Sequence, residues 1–398
     1  MSHSTSVTDH YQLEQSRWQK GRNALLFAVL VTLAACVAGY LQDPARFGRS
    51  YLVAFAFTAV IGLGSFFFVQ VQYLTGSAWS VSMRRIMENI MVTLPVGALL
   101  FLPIAFSLKS IYPWTDPALM ASSEALRSKA AYLTPNAFLI RTYVMFAVWS
   151  IWIFSIYRQS TKQDATRNIA QMHAISRWSA PGLFLVVAVG SLAAFDWLMS
   201  LQPAWYSTIF GLYYLADGAL AFFSVMTLVC LGFRRAGILK HSITQEHYHD
   251  LGKWMFAMTA FYTYIGVSQF LLIWYANLPE ETVFFRNRMG GWLALSLSLP
   301  IIRFFIPFFA LLCRPAKRNL TLIGVLAAYS LVVVYIDLYW LVMPVHYPAG
   351  PRIHWMDFAT LAFTISVCAL TFWGRFKKNK LAPVGDLRFE QSLHFENA

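Results

Sequence analysis

The sequence predicts an all-α polytopic membrane protein with ten transmembrane helices, and three observations carry that prediction. Apolar stretches of roughly the twenty residues needed to cross a bilayer's hydrocarbon core recur ten times within 398 residues. Hydrophobic residues make up 58% of the chain and charged residues only 12%, which reverses the balance of a water-soluble globule. Lysine and arginine are shared unevenly between alternate connections, as the positive-inside bias requires of a multi-pass protein. The spans are expected to be helices, because backbone exposed to lipid must satisfy its own hydrogen bonds.

A polar segment, residues 1–23, precedes the first span, Ala24 to Leu41. The second runs from Tyr51 to Tyr73, and the third from Asn89 to Phe106 with Glu88 at its opening. The fourth (Phe138 to Tyr157) and fifth (Gly182 to Met199) carry Arg141 and Asp196 near their outer ends. The sixth, Thr208 to Phe233, contains Asp217. The seventh, Leu251 to Trp274, is entered through His249, Asp250 and Lys253. The eighth, Gly291 to Cys313, holds Arg303 between Pro300 and Pro307. The ninth, Leu320 to Val342, contains Asp337; the tenth is Phe358 to Trp373. The membrane domain thus covers residues 24–374, followed by a basic tail at 375–398.

One set of connections, with the two tails, holds 21 of the 31 lysines and arginines, which predicts that both termini are cytoplasmic. That basic fringe also accounts for the net charge of +13 without any nucleic-acid partner. The polar start and the absence of a convincing cleavage site predict that the N-terminus is retained.

Cys36, Cys230, Cys313 and Cys368 are isolated from one another along the chain and read as packing residues, not as cluster ligands or a haem-attachment pair. The nine histidines fall in loops, tails or span edges, so the axial ligand pairs of a membrane cytochrome b are missing. The chain is therefore expected to bind no metal, haem or iron–sulfur cluster itself. Tyrosine and tryptophan at span ends read as interface anchors.

Ionisable groups at membrane depth are costly unless paired, hydrated or functional. From their positions along the spans, Asp217 and Arg303 lie about 14 and 18 Å from the outer surface, within reach of one another. They read either as a structural ion pair or as part of a proton path, and the flanking prolines free carbonyls that would attract polar company. Arg141 and Asp196 read as a shallower interfacial pair. Glu88, His249, Asp250 and Lys253 read as acids and bases at helix starts, or as the lining of a proton entrance. The fifth and ninth spans end alike: in each an Asp (Asp196, Asp337) is followed seven residues later by Pro (Pro203, Pro344), with aromatics between. Each closes a set of four spans, which predicts two four-helix bundles, spans 2–5 and 6–9, flanked by helices 1 and 10.

Four runs carry a family resemblance. They are Phe195 to Thr208, His249 to Lys253, Ser268-Gln269-Phe270-Leu271-Leu272-Ile273-Trp274-Tyr275-Ala276-Asn277-Leu278-Pro279-Glu280-Glu281-Thr282, and Asp337 to Pro344. With them the chain resembles the ActF subunits of bacterial alternative complex III, within the NrfD/polysulfide-reductase membrane superfamily. The resemblance spans nearly the whole chain and is most specific from Trp274 to Thr282. It implies a subunit of a quinol:cytochrome c, or other quinol:acceptor, oxidoreductase of the respiratory chain in the bacterial plasma membrane. The implied partners are an extracytoplasmic iron–sulfur protein, haem c subunits and a sister ten-helix subunit that is the better-supported site of quinol oxidation. The ActF-type chain would scaffold them and offer a proton path through Glu88, Asp196, Asp217, Asp250, Lys253, Arg303 and Asp337.

Two other readings stay open. The chain could bind quinol itself around Asp196, Trp197 and Arg141, since a quinone head group needs a hydrogen-bonding acid in an apolar slot. Alternatively it is a stand-alone secondary transporter, which would show paired Gly/Pro interruptions in both halves; only Pro300 and Pro307 are evident as such.

Overall fold

The computed structural model describes residues 9–397. Among these, ten helices are long and apolar enough to cross a membrane: α1 (Gln15–Gln42), α2 (Pro44–Leu74), α3 (Val81–Phe106), α4 (Pro135–Thr166), α5 (Ile169–Leu201), α6 (Phe210–Arg235), α7 (Gln245–Ala276), α8 (Gly290–Leu312), α9 (Leu320–Val345) and α10 (Trp355–Lys377). No strand occurs among the described residues. The chain is an all-α, multi-pass membrane protein.

Several helices begin earlier than hydropathy predicts. α1 starts at Gln15, inside the segment expected to be a polar tail. α3 starts at Val81, so Arg84, Arg85 and Glu88 belong to a buried helix and not to a solvated connection. The reason is that their charges are neutralised by other segments, which a window average cannot register. α5 starts at Ile169 and passes through Pro181, although that proline removes one hydrogen bond from the helix. α7 starts at Gln245, where Thr244 and His247 form a capping box. Cys313 caps α8 in an exposed position, whereas Cys36 and Cys230 are buried as expected.

Two spans are interrupted. α3 breaks into short helical pieces around Pro95 and Pro103. α8 contains a π turn, Ile301–Phe305, between Pro300 and Pro307. Pro307 cannot donate to the carbonyl of Arg303, and the widened turn accommodates that loss. Each half therefore carries an interruption, which corrects the expectation of one half only. The two are not matched, because α3 is the second helix of its set and α8 the third of its own.

α2 is the centre of the molecule, with 89% of its apolar window buried. It meets α3 and α5 on one side, α6 and α9 on another, and α10 on a third. α2 to α5 form one bundle and α6 to α9 the other, joined along α2 and α6. α1 lies against α10, which leans on α2. The α2–α6 seam depends on glycine: a Cβ on Gly64 would stand 2.2 Å from the Gly218 carbonyl oxygen, and one on Gly218 would stand 2.5 Å from that of Val60. Small residues of this kind let membrane helices approach closely. Gly218→Ala should cost about 1–3 kcal/mol, read as a lower unfolding midpoint in detergent, because neither backbone can yield. An unchanged midpoint would mean that the seam is looser than this geometry.

Both ends of the described chain meet on one face, called here the terminal face. The Leu381 amide donates to the Tyr11 carbonyl at 2.8 Å, and Tyr11 meets Phe389 edge-on at 5.4 Å between centroids. Asp386 in this returning segment accepts from the wholly buried Arg84 at 2.7 Å. Burial alone would raise the Asp386 carboxyl, but Arg84 and Arg388 outweigh it and hold it below the ordinary carboxylate range. The docked segment is therefore insensitive to pH near neutrality, and it loosens only as pH falls through that lowered value. Asp386→Asn leaves Arg84 uncompensated, at a cost of about 3 kcal/mol. Limited proteolysis should then cut residues 381–397 that wild-type protein protects; equal protection in both would refute the role of this pair.

Candidate functional site

The densest polar cluster at membrane depth lies inside the second bundle. α6 places Tyr213 and Asp217 one turn apart on the same face, as residues at i and i+4 must be. α7 contributes Tyr262, the π turn of α8 contributes Arg303, and α9 contributes Asp337; all five are buried. Asp337 accepts from Tyr213 Oη at 3.1 Å on each oxygen and from Tyr262 Oη at 2.8 Å on Oδ2. The two hydroxyls are also hydrogen-bonded to each other. The Arg303 guanidinium lies 3.6 Å from the centre of the Tyr262 ring and forms an ion pair with Asp217. The five side chains thus form one row across four helices, with a carboxylate at either end.

The π turn explains how Arg303 reaches this row. An ordinary helix running from Pro300 to Pro307 would lack the extra residue per turn, and π turns of this kind recur where a side chain must be re-aimed. Charge balance explains why the row can be dry: a lone guanidinium would cost several kcal/mol to bury, whereas one flanked by carboxylates and an aromatic face is compensated.

A second cation, Arg288, sits beside this row, in the connection before α8. It is 2% exposed, yet it has no carboxylate partner among the described residues. It donates instead to the carbonyls of Phe284 (2.7 Å), Trp340 (3.2 Å) and Leu341 (2.9 Å), the last two being free acceptors at the end of α9. Burial lowers its pKa to about 9, with Tyr213 and Asp337 opposing that shift, so it remains a cation at neutral pH. Arg288, Arg303, Tyr213, Tyr262 and Asp337 all line a cavity of about 420 Å³ bounded by α6, α7, α8 and α9.

The first bundle repeats part of this plan. Asp196 Oδ2 accepts from Arg141 Nε at 2.8 Å, and Oδ1 accepts from Arg141 Nη2 at 3.2 Å and Tyr132 Oη at 2.8 Å. The Tyr132 ring lies 3.7 Å beneath the guanidinium, and its hydroxyl is pushed up to about 12 by burial and by Asp196, so it stays a donor. Asp196 is fully buried, while the Arg141 side chain is 23% exposed. Trp197 donates to Thr142 Oγ1 at 3.3 Å and packs against Phe55 and Phe146. In the second bundle Trp340, three residues after Asp337, likewise donates to a hydroxyl, Ser296 Oγ at 2.8 Å, but from a different position than Trp197, which directly follows Asp196. The difference is that Arg141 binds Asp196 directly, whereas Asp337 is held by two phenols.

On the terminal face Glu88 lies in a closed network. It accepts from Tyr73 Oη at 2.6 Å, Ser160 Oγ at 2.7 Å and Arg85 Nη1 at 2.8 Å, and Arg85 bridges on to Asp164 at 2.7 Å. Glu88 is 0% exposed, which corrects its expected position at a span opening. Lys253, whose side chain is 48% exposed, is the most exposed of the residues singled out in sequence on this face; it pairs with Asp250 and donates to Asn397 Oδ1 at 2.5 Å. His249 stands beside Asp250 in the second turn of α7.

Sequence reading brought forward Asp217, Arg303 and Asp337 but missed Tyr213, Tyr262 and Arg288. Tyr213 and Tyr262 are uncharged and do not stand out within their spans, although Tyr213 lies four residues before Asp217, and that spacing was the available signal. Arg288 lies outside the apolar runs and gave none. No model of a known protein family matches the chain, and no curated relative matches it either.

Proposed function

We propose that this chain is the ActF-type membrane subunit of a quinol-oxidising respiratory complex of the alternative complex III kind, in the bacterial plasma membrane with both termini in the cytoplasm. In this reading it anchors an extracytoplasmic iron–sulfur subunit, haem c subunits and a sister ten-helix subunit, and couples quinol oxidation to proton movement. The observation that carries the proton role is the buried row Asp217, Arg303, Tyr262, Tyr213 and Asp337. A carboxylate next to hydrogen-bonded phenols can pass a proton by reorienting hydroxyls, and an adjacent cation keeps the carboxylate within reach of ionisation. The four sequence runs support the family, and the excess of basic residues on the terminal face supports the orientation.

His249, Asp250 and Lys253, at the terminal end of the same bundle, are the proposed point of proton uptake. Glu88, closed in by three donors, is better suited to holding α2, α3 and α4 together. Quinol binding at Asp196 and Trp197 draws less support, because both carboxylate oxygens of Asp196 are already occupied. The unmatched interruptions of α3 and α8 do not favour a stand-alone transporter with inverted repeats.

The test has two parts. Gentle affinity purification from the native membrane should recover haem c absorbance, an iron–sulfur protein and a second ten-helix subunit; a colourless, partner-free chain would overturn the complex. Asp217→Asn and Asp337→Asn should each retain assembly and quinol oxidation while lowering proton translocation about tenfold, one barrier increment of 1.4 kcal/mol. Unchanged coupling in both variants would remove the row from any proton path.

A further inference from the structure

The cavity beside the buried row has an uneven lining. Toward the protein it presents Arg303, Asp337, Tyr213, Tyr262 and Arg288. Toward the lipid it is walled by side chains of α7 and α8, among them Val267 (47% exposed), Phe270 (44%) and Leu297 (65%). Its volume of about 420 Å³ falls in the range of small-molecule sites, and its mouth lies between the exposed apolar side chains of two membrane-spanning helices.

The hydrogen-bonding capacity of that lining is one-sided. Both oxygens of Asp337 are engaged by phenols. Ser296 Oγ donates to Arg288 and Trp292 carbonyls and accepts from Trp340. Arg288 is spent on three main-chain carbonyls. Arg303 is different: it is 3% exposed, and its Nε and Nη1 have no hydrogen-bond partner among the described residues. The free capacity among these lining groups is therefore donor capacity. Formal charge fixes the rest, because Arg288 and Arg303 are balanced by Asp337 and Asp217, so an anionic head group would meet no net positive field.

We infer that this cavity is a binding site for a lipid-phase amphiphile with a neutral, hydrogen-bond-accepting oxygen head placed against Arg303 and an apolar body lying between α7 and α8. A guanidinium with two free N–H groups suits a carbonyl oxygen, and buried donors left unmade cost about 1–3 kcal/mol each, which such a head offsets. Two membrane molecules offer that chemistry: the ring carbonyl of an isoprenoid quinone and the ester carbonyl of a glycerolipid. The site lies in the second bundle, on different helices from Asp196 and Trp197, and its occupancy does not depend on whether protons move.

The test uses the full chain, purified in mild detergent with whatever subunits accompany it. Quinone and glycerolipid retained per chain are quantified by solvent extraction and mass spectrometry in wild type, Leu297→Trp and Val267→Trp. Both substitutions fill the mouth from opposite walls at lipid-exposed positions, and retained helicity by circular dichroism checks folding. One class should fall about tenfold in both variants while the other stays at its annular level, a factor corresponding to 1.4 kcal/mol of lost affinity. A fall in quinone identifies the ring carbonyl, and a fall in glycerolipid the ester. Equal retention of both classes in all three proteins would overturn the site. In a second arm, Arg303→Lys should release the same class as the mouth-filling variants; release of neither would overturn the assignment of Arg303 as the head-group donor.

Discussion

Arg303→Leu is expected to destabilise the protein by about 3–5 kcal/mol, the effect of removing one partner from a buried ion pair and leaving the other uncompensated. Asp217 is 1% exposed and has no other charged partner among the described residues, so its carboxylate would have to take up a proton or draw in water. The expected readout is a lower unfolding midpoint in mixed micelles. The double variant Arg303→Leu with Asp217→Leu separates structure from function. Replacing both charges by apolar groups of similar volume is often neutral. The double variant should therefore recover most of the midpoint while proton coupling stays lost. Recovery of both would show that the pair is only a packing device; recovery of neither would show that Arg303 holds Asp337 as well.

Glu88→Ala should be comparably severe, at about 3–5 kcal/mol, for a different reason. Its carboxylate collects Tyr73 from α2, Ser160 from α4 and Arg85 from its own helix. Removing it frees two hydroxyl donors in a site without water access and leaves Arg85 with Asp164 alone. The first bundle should loosen at its terminal end, seen as faster amide exchange in the first turns of α3. Glu88→Gln keeps the volume but turns one acceptor into a donor, so it should recover only part of the loss. Wild-type exchange in Glu88→Ala would refute this role.

The ten spans are legible because lipid demands uniform apolarity over a fixed length, a requirement that a short window detects. Where spans begin is less legible, because polarity within a span depends on distant partners. Arg85 meets Asp164 across 79 positions, and Arg84 meets Asp386 across 302. Neither separation leaves a local trace, so the start of α3 reads as a solvated connection. Asp217, Arg303 and Asp337 stand out as charges in apolar surroundings. Tyr213 and Tyr262 do not, since a tyrosine packed in an apolar span and one bonded to a buried carboxylate look alike in sequence. The π turn is partly legible, because two prolines seven residues apart disrupt a helix, but its effect on the direction of Arg303 depends on packing against Tyr262.

The contact between Arg84 and Asp386 also has a timetable. Chains are synthesised at about 5–20 residues per second, so the 302 positions between these two residues correspond to about 15–60 s on the ribosome. Once α5 is complete, the first bundle has its helices but not the counter-ion for a guanidinium that ends up with no exposure at all. The early half of the chain must therefore wait, incompletely neutralised and open to water or a chaperone at one end, until nearly the last of the described residues arrive. Closure of this end of the first bundle is gated by the arrival of Asp386.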